Sequence, residues 1–545
     1  MAELICTEAD RWLGIGSALS KACPGDCVII NAGIFEGCDT LIIPSGVCLM
    51  GRGALLRFTG DGPALLVNDA ADVTISDLSI EMKAEVGKLR PHHECVVRED
   101  DRPEYPSVES ASVLIQRSQR VILQRIVLSS ATAQAGLNGI AVRLCCSTRI
   151  EGCSVIHPGR NGIASISSEA DIVDCFVDSS RNGIVLFRSF ETPDVPSRGR
   201  IISNRCHGNT REGICLFSSE SEKIEANEAW GNGGDGIALF AENNAPSRSP
   251  ILSNRCLDNA GAGISLYSSE SEAIKANECN GNGASGIVLL RDEERSDAPS
   301  RARIISNRCH GNAEFGIALS SSESEAIEDN EVSNNKRSGI ALRRDEVSPE
   351  VPSRGRILSN RCHDNTDAGI CLFSSESEVI VENDCWGNGL SGIILQRDDK
   401  SPSAPSRGRI IHNRCHGNTQ HGISLFSSES EAIEANECWV NGLAGIALLR
   451  DVGSPGAPSR GRILSNRCHH NTDAGICLFS SESEAIEEND CFGNGGSGIT
   501  FLRDRNSLDF PSRGRILSNR CHHNTDAGIC LFSSESEEIE ENDCC

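Results

Sequence analysis

The stretch that decides the fold runs from Arg354 to Asp399 and reads RGRILSNRCHDNTDAGICLFSSESEVIVENDCWGNGLSGIILQRDD. Its Asn-Arg-Cys core recurs at Asn204, Asn254, Asn307, Asn360, Asn413, Asn466 and Asn519. The first step is 50 residues (254 − 204) and every later one is 53 (307 − 254 and onward). A fixed period of this length marks a solenoid or array. Each long repeat holds one short phrase twice: Ile357, Asn360, Cys362, Asn365, Gly369, Ile370, Leu372, and then Ile380, Asn383, Cys385, Asn388, Gly392, Ile393, Leu395. Apolar residues two apart in short β-branched runs, broken by Asn or Gly, read as strand and turn without helical periodicity. Successive phrases start 23 residues apart (383 − 360) and then 30 (413 − 383). A coil that short cannot bury a face alone, so coils must stack, as in a parallel β-helix.

The whole-chain figures agree. The 545 residues carry 4% aromatics and 52 glycines, which suits a narrow core with many turns. A net charge of −26 argues against nucleic acid and against an anionic membrane surface as partners. No stretch is long and apolar enough to span a bilayer. The opening MAELICTEADRWLGIGSALS lacks a basic segment followed by an apolar run, so the expectation is a cytoplasmic protein, with signal-less secretion as the other route. In a reducing compartment the 27 cysteines are expected as free thiols.

Ala9 to Cys23 reads as one amphipathic helix with Trp12, Leu13, Ile15, Leu19 and Ala22 apolar. There follow Pro24-Gly25-Asp26, Val28, Ile30 and the turn Leu49-Met50-Gly51-Arg52-Gly53. This opening resembles that of pectin-lyase-like right-handed β-helix proteins, and the Asn-x-Cys phrase is similar to the NosD-type repeats of that superfamily. The resemblance implies an all-β, right-handed, single-stranded parallel β-helix whose short N-terminal helix caps the first coil. It divides the chain into a capping segment (1–23), irregular coils (24–200) with an inserted loop at 85–110, and regular two-coil repeats (201–545). The fold hosts lyases, hydrolases, epimerases and plain scaffolds, so it does not set function.

Stacking turns sequence positions into columns spaced about 4.8 Å. Asn occupies one column from Asn204 to Asn542 and a second from Asn209 to Asn524, where its tolerance of left-handed backbone and its stacking amide both suit a turn. The next column alternates charge without exception, from Arg205, Glu228 and Arg255 to Arg520 and Asp543. A slip by one coil would set like against like, so the alternation guards register. Ser-Glu-Ser-Glu and Ser-Arg-Gly-Arg alternate the same way (Glu376, Glu378; Arg354, Arg356). The column after that is mostly Cys and should lie inside as a small apolar residue, its parallel side chains ill-placed for disulfides.

One position further on, rings face outward: His207, Trp230, His363, Trp386, His416, Trp439, His469 and Phe492 are the candidate binding residues, for sugar rings or a partner protein. The plainer alternative is lateral ring stacking that stiffens the sheet. Histidines two coils apart cannot share one ion, and His92, His93, Glu94 and Cys95 lack a spaced partner pair, so neither metal nor cofactor is expected. Asn-Thr-Asp triplets at Asn365, Asn471 and Asn524 resemble a polygalacturonase motif but recur at equivalent turns. No symmetry-breaking carboxylate pair is found past Ile201, so no catalytic residue is assigned. The expected function is a non-catalytic scaffold that binds an extended polysaccharide or protein along its lateral surface. The alternatives are a polysaccharide-active enzyme with its site near Glu85 to Asp178, where His157, Asp171, Asp174 and Asp178 occur, and, by resemblance alone, the substrate-recognition part of a ubiquitin-ligase-like receptor. The stop at Cys544-Cys545 in mid-coil reads either as a truncation or as a place where two molecules meet end to end.

Overall fold

The computed structural model describes residues 2–83, 111–130, 137–292, 294, 298–345, 350–397, 404–450, 457–503 and 511–544. The loop expected at 85–110, with His92 to Cys95, lies outside them. Two compact units are resolved, Met1–Ala260 and Gly261–Cys545, and both are right-handed parallel β-helices.

In the first unit a strand at Glu3–Cys6 pairs in parallel with Cys27–Gly37, and the helix Arg11–Lys21 lies between them in sequence. Trp12, Ile15 and Leu19 are buried, whereas Leu13, expected among the apolar positions, is 75% exposed. Trp12 reaches the first coil: its Nε1–H donates to Asp39 O at 2.8 Å, and its ring fills the space that a Cβ on Gly37 would need. The helix is therefore a cap, as expected. Coils then follow with three strands each, for example Thr148–Glu151, Ser154–Ile156 and Asn161–Ile166, every one paired in parallel with its counterparts on neighbouring coils.

The second unit repeats this plan with greater regularity. One coil runs Glu376–Val381, Asp384–Trp386 and Ile393–Gln396. Parallel register sets Arg361 beside Asp384, Cys362 beside Cys385 and His363 beside Trp386. Arg361 is exposed and Cys362 buried, so strand alternation sends charge out and thiol in. Every cysteine among the described residues is a free thiol. The Gly before each Ile is needed because the next coil's backbone comes close: a Cβ on Gly369 would stand 2.7 Å from Gly392 O.

Two amide ladders hold the corners. Asn383 donates from its backbone N–H and its Nδ2 to Asn413 Oδ1, both at 3.0 Å, and Asn413 does the same to Asn436 Oδ1 at 2.9 and 3.0 Å. The second nitrogen hydrogen caps a carbonyl of the preceding coil, Ile380 O for Asn413 at 2.8 Å. In the second unit this ladder runs unbroken from Asn277 to Asn542, and its twin from Asn282 to Asn524. The first unit carries both (Asn204 to Asn254; Asn209 to Asn259) and a third through Asn138, Asn161 and Asn182. The backbone reason expected for asparagine is corrected. The left-handed residue is the one before it, such as Ser359, Glu382, His412 or Ala435, at φ of +52° to +56°. Asparagine is there for its side chain, the one short group that accepts and donates along a stack simultaneously.

A third corner uses serine. The Ser of each Pro-Ser-Arg is fully buried, and the single Oγ–H of Ser406 is shared between the Leu372 and Gln396 carbonyls, 2.9 and 2.7 Å away. Beside it the acidic and basic turns pair as expected: Arg354–Glu376 at 2.9 Å, Arg407–Glu429 at 3.0 Å and Arg460–Glu482 at 2.9 Å. These pairs are exposed, so each contributes roughly 0–1 kcal/mol and acts chiefly on register.

Asn413→Ala strips the Ile380 carbonyl and the Asn383 amides of their partners, with a local cost on the order of 3 kcal/mol. Hydrogen exchange should show lost protection in the coils around Asn383 and Asn436 while the coil at Asn519 keeps its own.

Candidate functional site

The outward column forms a continuous stack in the second unit. His363, Trp386, His416, Trp439, His469, Phe492 and His522 follow one another with ring centroids 4.2, 5.9, 4.2, 6.0, 4.7 and 5.2 Å apart, all within 14° of parallel. In the first unit His207 and Trp230 form a separate tilted pair at 4.7 Å. Each ring sits one coil from its neighbour because the strands are in parallel register, so the faces meet without turn or loop between them. The faces are thereby consumed. What remains for a partner is a strip of ring edges, with the His363, His416 and His469 side chains 14–27% exposed.

Charge flanks the strip on one side. Glu228 is shared between Arg205 at 3.5 Å and Arg255 at 3.1 Å, and Arg467 reaches Glu437 at 3.2 Å. Arg361, Arg414 and Arg467 also lie over the rings of Trp386, Trp439 and Phe492 at 5.1–5.3 Å, a cation–π contact. The Nε2 atoms of His416 and His469 face Asp384 and Glu437 at 3.3 and 3.5 Å. His207 Nδ1 instead meets Asp178 Oδ1 at 2.9 Å. Burial pulls the His416 imidazole below its usual pKa despite the carboxylate, so it is neutral at pH 7.

A second candidate escaped the sequence reading. The position before each Gly-Ile strand is Ala or Ser in most regular coils, as at Ala368, Ser391 and Ala444, but Glu212 and Asp235 in two consecutive coils. Gly213 N–H donates to Asp235 O at 2.9 Å, which stacks the two residues. Burial, with Asp235 beside it, pushes the Glu212 carboxyl above its ordinary range, while Arg211 and Arg181 oppose the shift. Phe217 and Phe240 stack at 4.8 Å on the strands that follow. This is a symmetry-breaking carboxylate pair, and its existence corrects the expectation of none past Ile201. The signal was available: two acids in a column of small residues. Of the early-coil acids, Asp171 is paired with Arg200 and Asp178 with His207.

The model for right handed beta helix region matches residues 138–298 and 295–455, more than half of the chain, and the protein belongs to that family. Residues 401–544 match the model described as periplasmic copper-binding protein (NosD). That match corrects the expected cytoplasmic location, since the family is described as periplasmic. Among curated proteins the chain has no match. Similar solved structures include a periplasmic alginate epimerase AlgG (13% identity, 96% of this chain and 83% of that one, TM-score 0.25). Others are the mannuronan C-5 epimerase AlgE4 A-module of Azotobacter vinelandii (14%, 89% and 95%, 0.23) and a GH87 alpha-1,3-glucanase catalytic unit of Streptomyces thermodiastaticus (10%, 97% and 70%, 0.29). Likenesses this distant carry no argument about activity.

The copper in that family description can be tested against the donors present. The thiol column from Cys362 to Cys521 is fully buried; burial pushes Cys362 and Cys415 up, while hydrogen bonds from the flanking thiols Cys362 and Cys415 pull Cys385 between them down to about 6, so the thiols bond to one another along the stack. No group of three or more His, Cys, Asp or Glu is placed to hold a metal among the described residues. The thiol interior does not fit copper. Adjacent histidines meet in pairs only, through Nδ1 atoms 2.9 Å apart at His469–His470 and 2.8 Å apart at His522–His523.

The corner column that holds Glu212 also carries His421. Burial lowers its pKa from 6.5 to about 4, and its Nδ1 accepts the Ala444 N–H at 3.2 Å. A depressed histidine contributes stability that is complete above pH 6.5 and lost as pH falls toward 4, about 2 kcal/mol at pH 5. His421→Ser keeps an acceptor, as Ser338 does for Ala368 N–H. Thermal melts should show the variant gaining on the parent at pH 5 but not at pH 7.5.

Proposed function

We propose that the chain is a non-catalytic β-helical scaffold that binds an extended polysaccharide along its lateral surface, with the ring strip of Gly261–Cys545 as the contact. The carrying observation is the strip itself: one ring per coil from His363 to His522, so that a polymer of identical units meets the same edge at each step. The rings hold one another, so no side-chain ordering is added on binding, which lowers the cost of association. Arginines on the strip are already matched to acids, and the net charge of −26 repels polyanions. Neutral glycans are therefore favoured over polyuronates.

Glu212 and Asp235 support a second reading, a polysaccharide-active enzyme. A carboxyl raised by burial, with a second acid beside it, is an arrangement that acid and base roles can use.

Affinity electrophoresis against soluble neutral β-glucans and polygalacturonate separates the readings. The scaffold reading expects retardation in neutral glycans, weakened roughly tenfold by Trp386→Ala with Trp439→Ala, and unshortened polymer. Reducing ends released by the parent chain but not by Glu212→Gln would instead establish the enzyme. Retardation indifferent to both tryptophans would remove the strip as the contact.

A further inference from the structure

We propose that Cys27 and Cys48 form a reversible disulfide that staples the coil under the capping helix to the coil after it. Thiols are not spread evenly over the chain. Every described cysteine from Cys153 to Cys521 is buried, whereas Cys27 and Cys48 are partly exposed and Cys23 and Cys38 exposed. Strand alternation is the reason: Val28 and Leu49 are fully buried, so the residue before each turns outward. Parallel register sets Cys27 beside Cys48, with Glu3 and Thr74 on either side, and the two thiols are hydrogen-bonded to each other. Among the described residues no other pair of cysteines given in register has both thiols accessible.

Neighbouring parallel strands stand about 4.8 Å apart, inside the Cα range that a disulfide spans. In the core column, coils on both sides hold the side chains parallel and keep them from rotating into the bond. Cys27 and Cys48 each open a strand, and each follows a left-handed glycine by two residues, Gly25 at φ of +97° and Gly46 at +73°. The backbone there has room to turn one sulfur toward the other. On its far side Cys27 has only the four-residue strand Glu3–Cys6. Burial and the neighbouring thiol push Cys48 up to about 12, so Cys48 keeps its proton and Cys27 reacts first. The Cys27 thiol loses its proton to solvent and attacks a small disulfide, RSSR, releasing RS⁻. Cys48 then attacks the Cys27 sulfur of the mixed disulfide, and its proton leaves with the second RS⁻ as RSH. Two protein thiols are oxidised and one RSSR is reduced. The bond closes a loop of 21 residues (48 − 27). The corner beside it ties down the capping segment, since the Asp26 carboxylate accepts the Ala2 N–H at 2.7 Å and the Cys23 N–H at 3.0 Å. Solenoid coils at an end have fewer neighbours and open first, so a staple there acts where opening begins.

The test uses the full chain, reduced and desalted, then exposed to glutathione disulfide. Peptide mapping should find a Cys27–Cys48 link. Hydrogen exchange at Ile29, Ile30 and Leu49 should slow roughly 10- to 100-fold on oxidation and recover with dithiothreitol, a comparison that needs no variant. Cys48→Ser should stop at a glutathione adduct on Cys27. With Cys27→Ser and Cys48→Ser together, the oxidant should leave exchange in the first coils unchanged. Serine is close in size and both positions reach solvent, so the fold is kept, and circular dichroism checks it. A link from either cysteine to Cys23 or Cys38, glutathione adducts without any link in the parent chain, or a Cys27–Cys48 link that leaves exchange unchanged would overturn the proposal.

Discussion

The structure depends on the ability of a buried primary amide to accept and donate along one line without end. Each ladder asparagine takes two hydrogen bonds on its oxygen and gives two from its nitrogen, so a corner that would otherwise strand backbone groups is satisfied from coil to coil. Serine has one hydrogen to give and aspartate has none. In a low-dielectric interior an amide chain strengthens its own members, and one gap exposes the partners on both sides. With the corners set, the rest follows by alternation: the residue after the amide points out and the next points in. Charge falls on the wall and sulfur in the core because of where the amide sits.

Much of this was legible in the letters. The period, the two asparagine columns, the alternating charges, the inward cysteines and the outward rings are all one-dimensional facts that parallel register converts directly into contacts. Arg205 meets Glu228, and His363 meets Trp386, as their positions require. Other features were illegible for identifiable reasons. The left-handed residue before each asparagine of the first ladder is Ser, Ala, Asp, Glu or His, which carry no common signature, so the turn was credited to asparagine. A left-handed step before the second ladder, at His470, makes His469 and His470 face each other, against the alternation that strand letters imply. Glu212 and Asp235 stand out in a corner column of mostly small residues, but that column lies apart from the asparagine, charge, thiol and ring columns that carry the repeat.

The ring strip and the carboxyl pair make different demands on the scaffold. Stacked rings gain from repetition, since each face is covered by the next. A carboxyl with a raised pKa needs the opposite, a break in repetition that crowds one acid against another. The regular second unit suits the first demand and the less regular first unit the second, which is why the candidate contact strip and the candidate acid fall in separate parts of the chain.

The alternating wall also governs how such a protein can change length over generations. Deleting or duplicating one rung would bring arginine onto arginine or acid onto acid at the scar. Gene segments encoding a whole 53-residue pair can be gained or lost without that penalty. Copy number in this lineage should therefore drift in double steps, and orphan half-units should be found only where the charged column has lapsed.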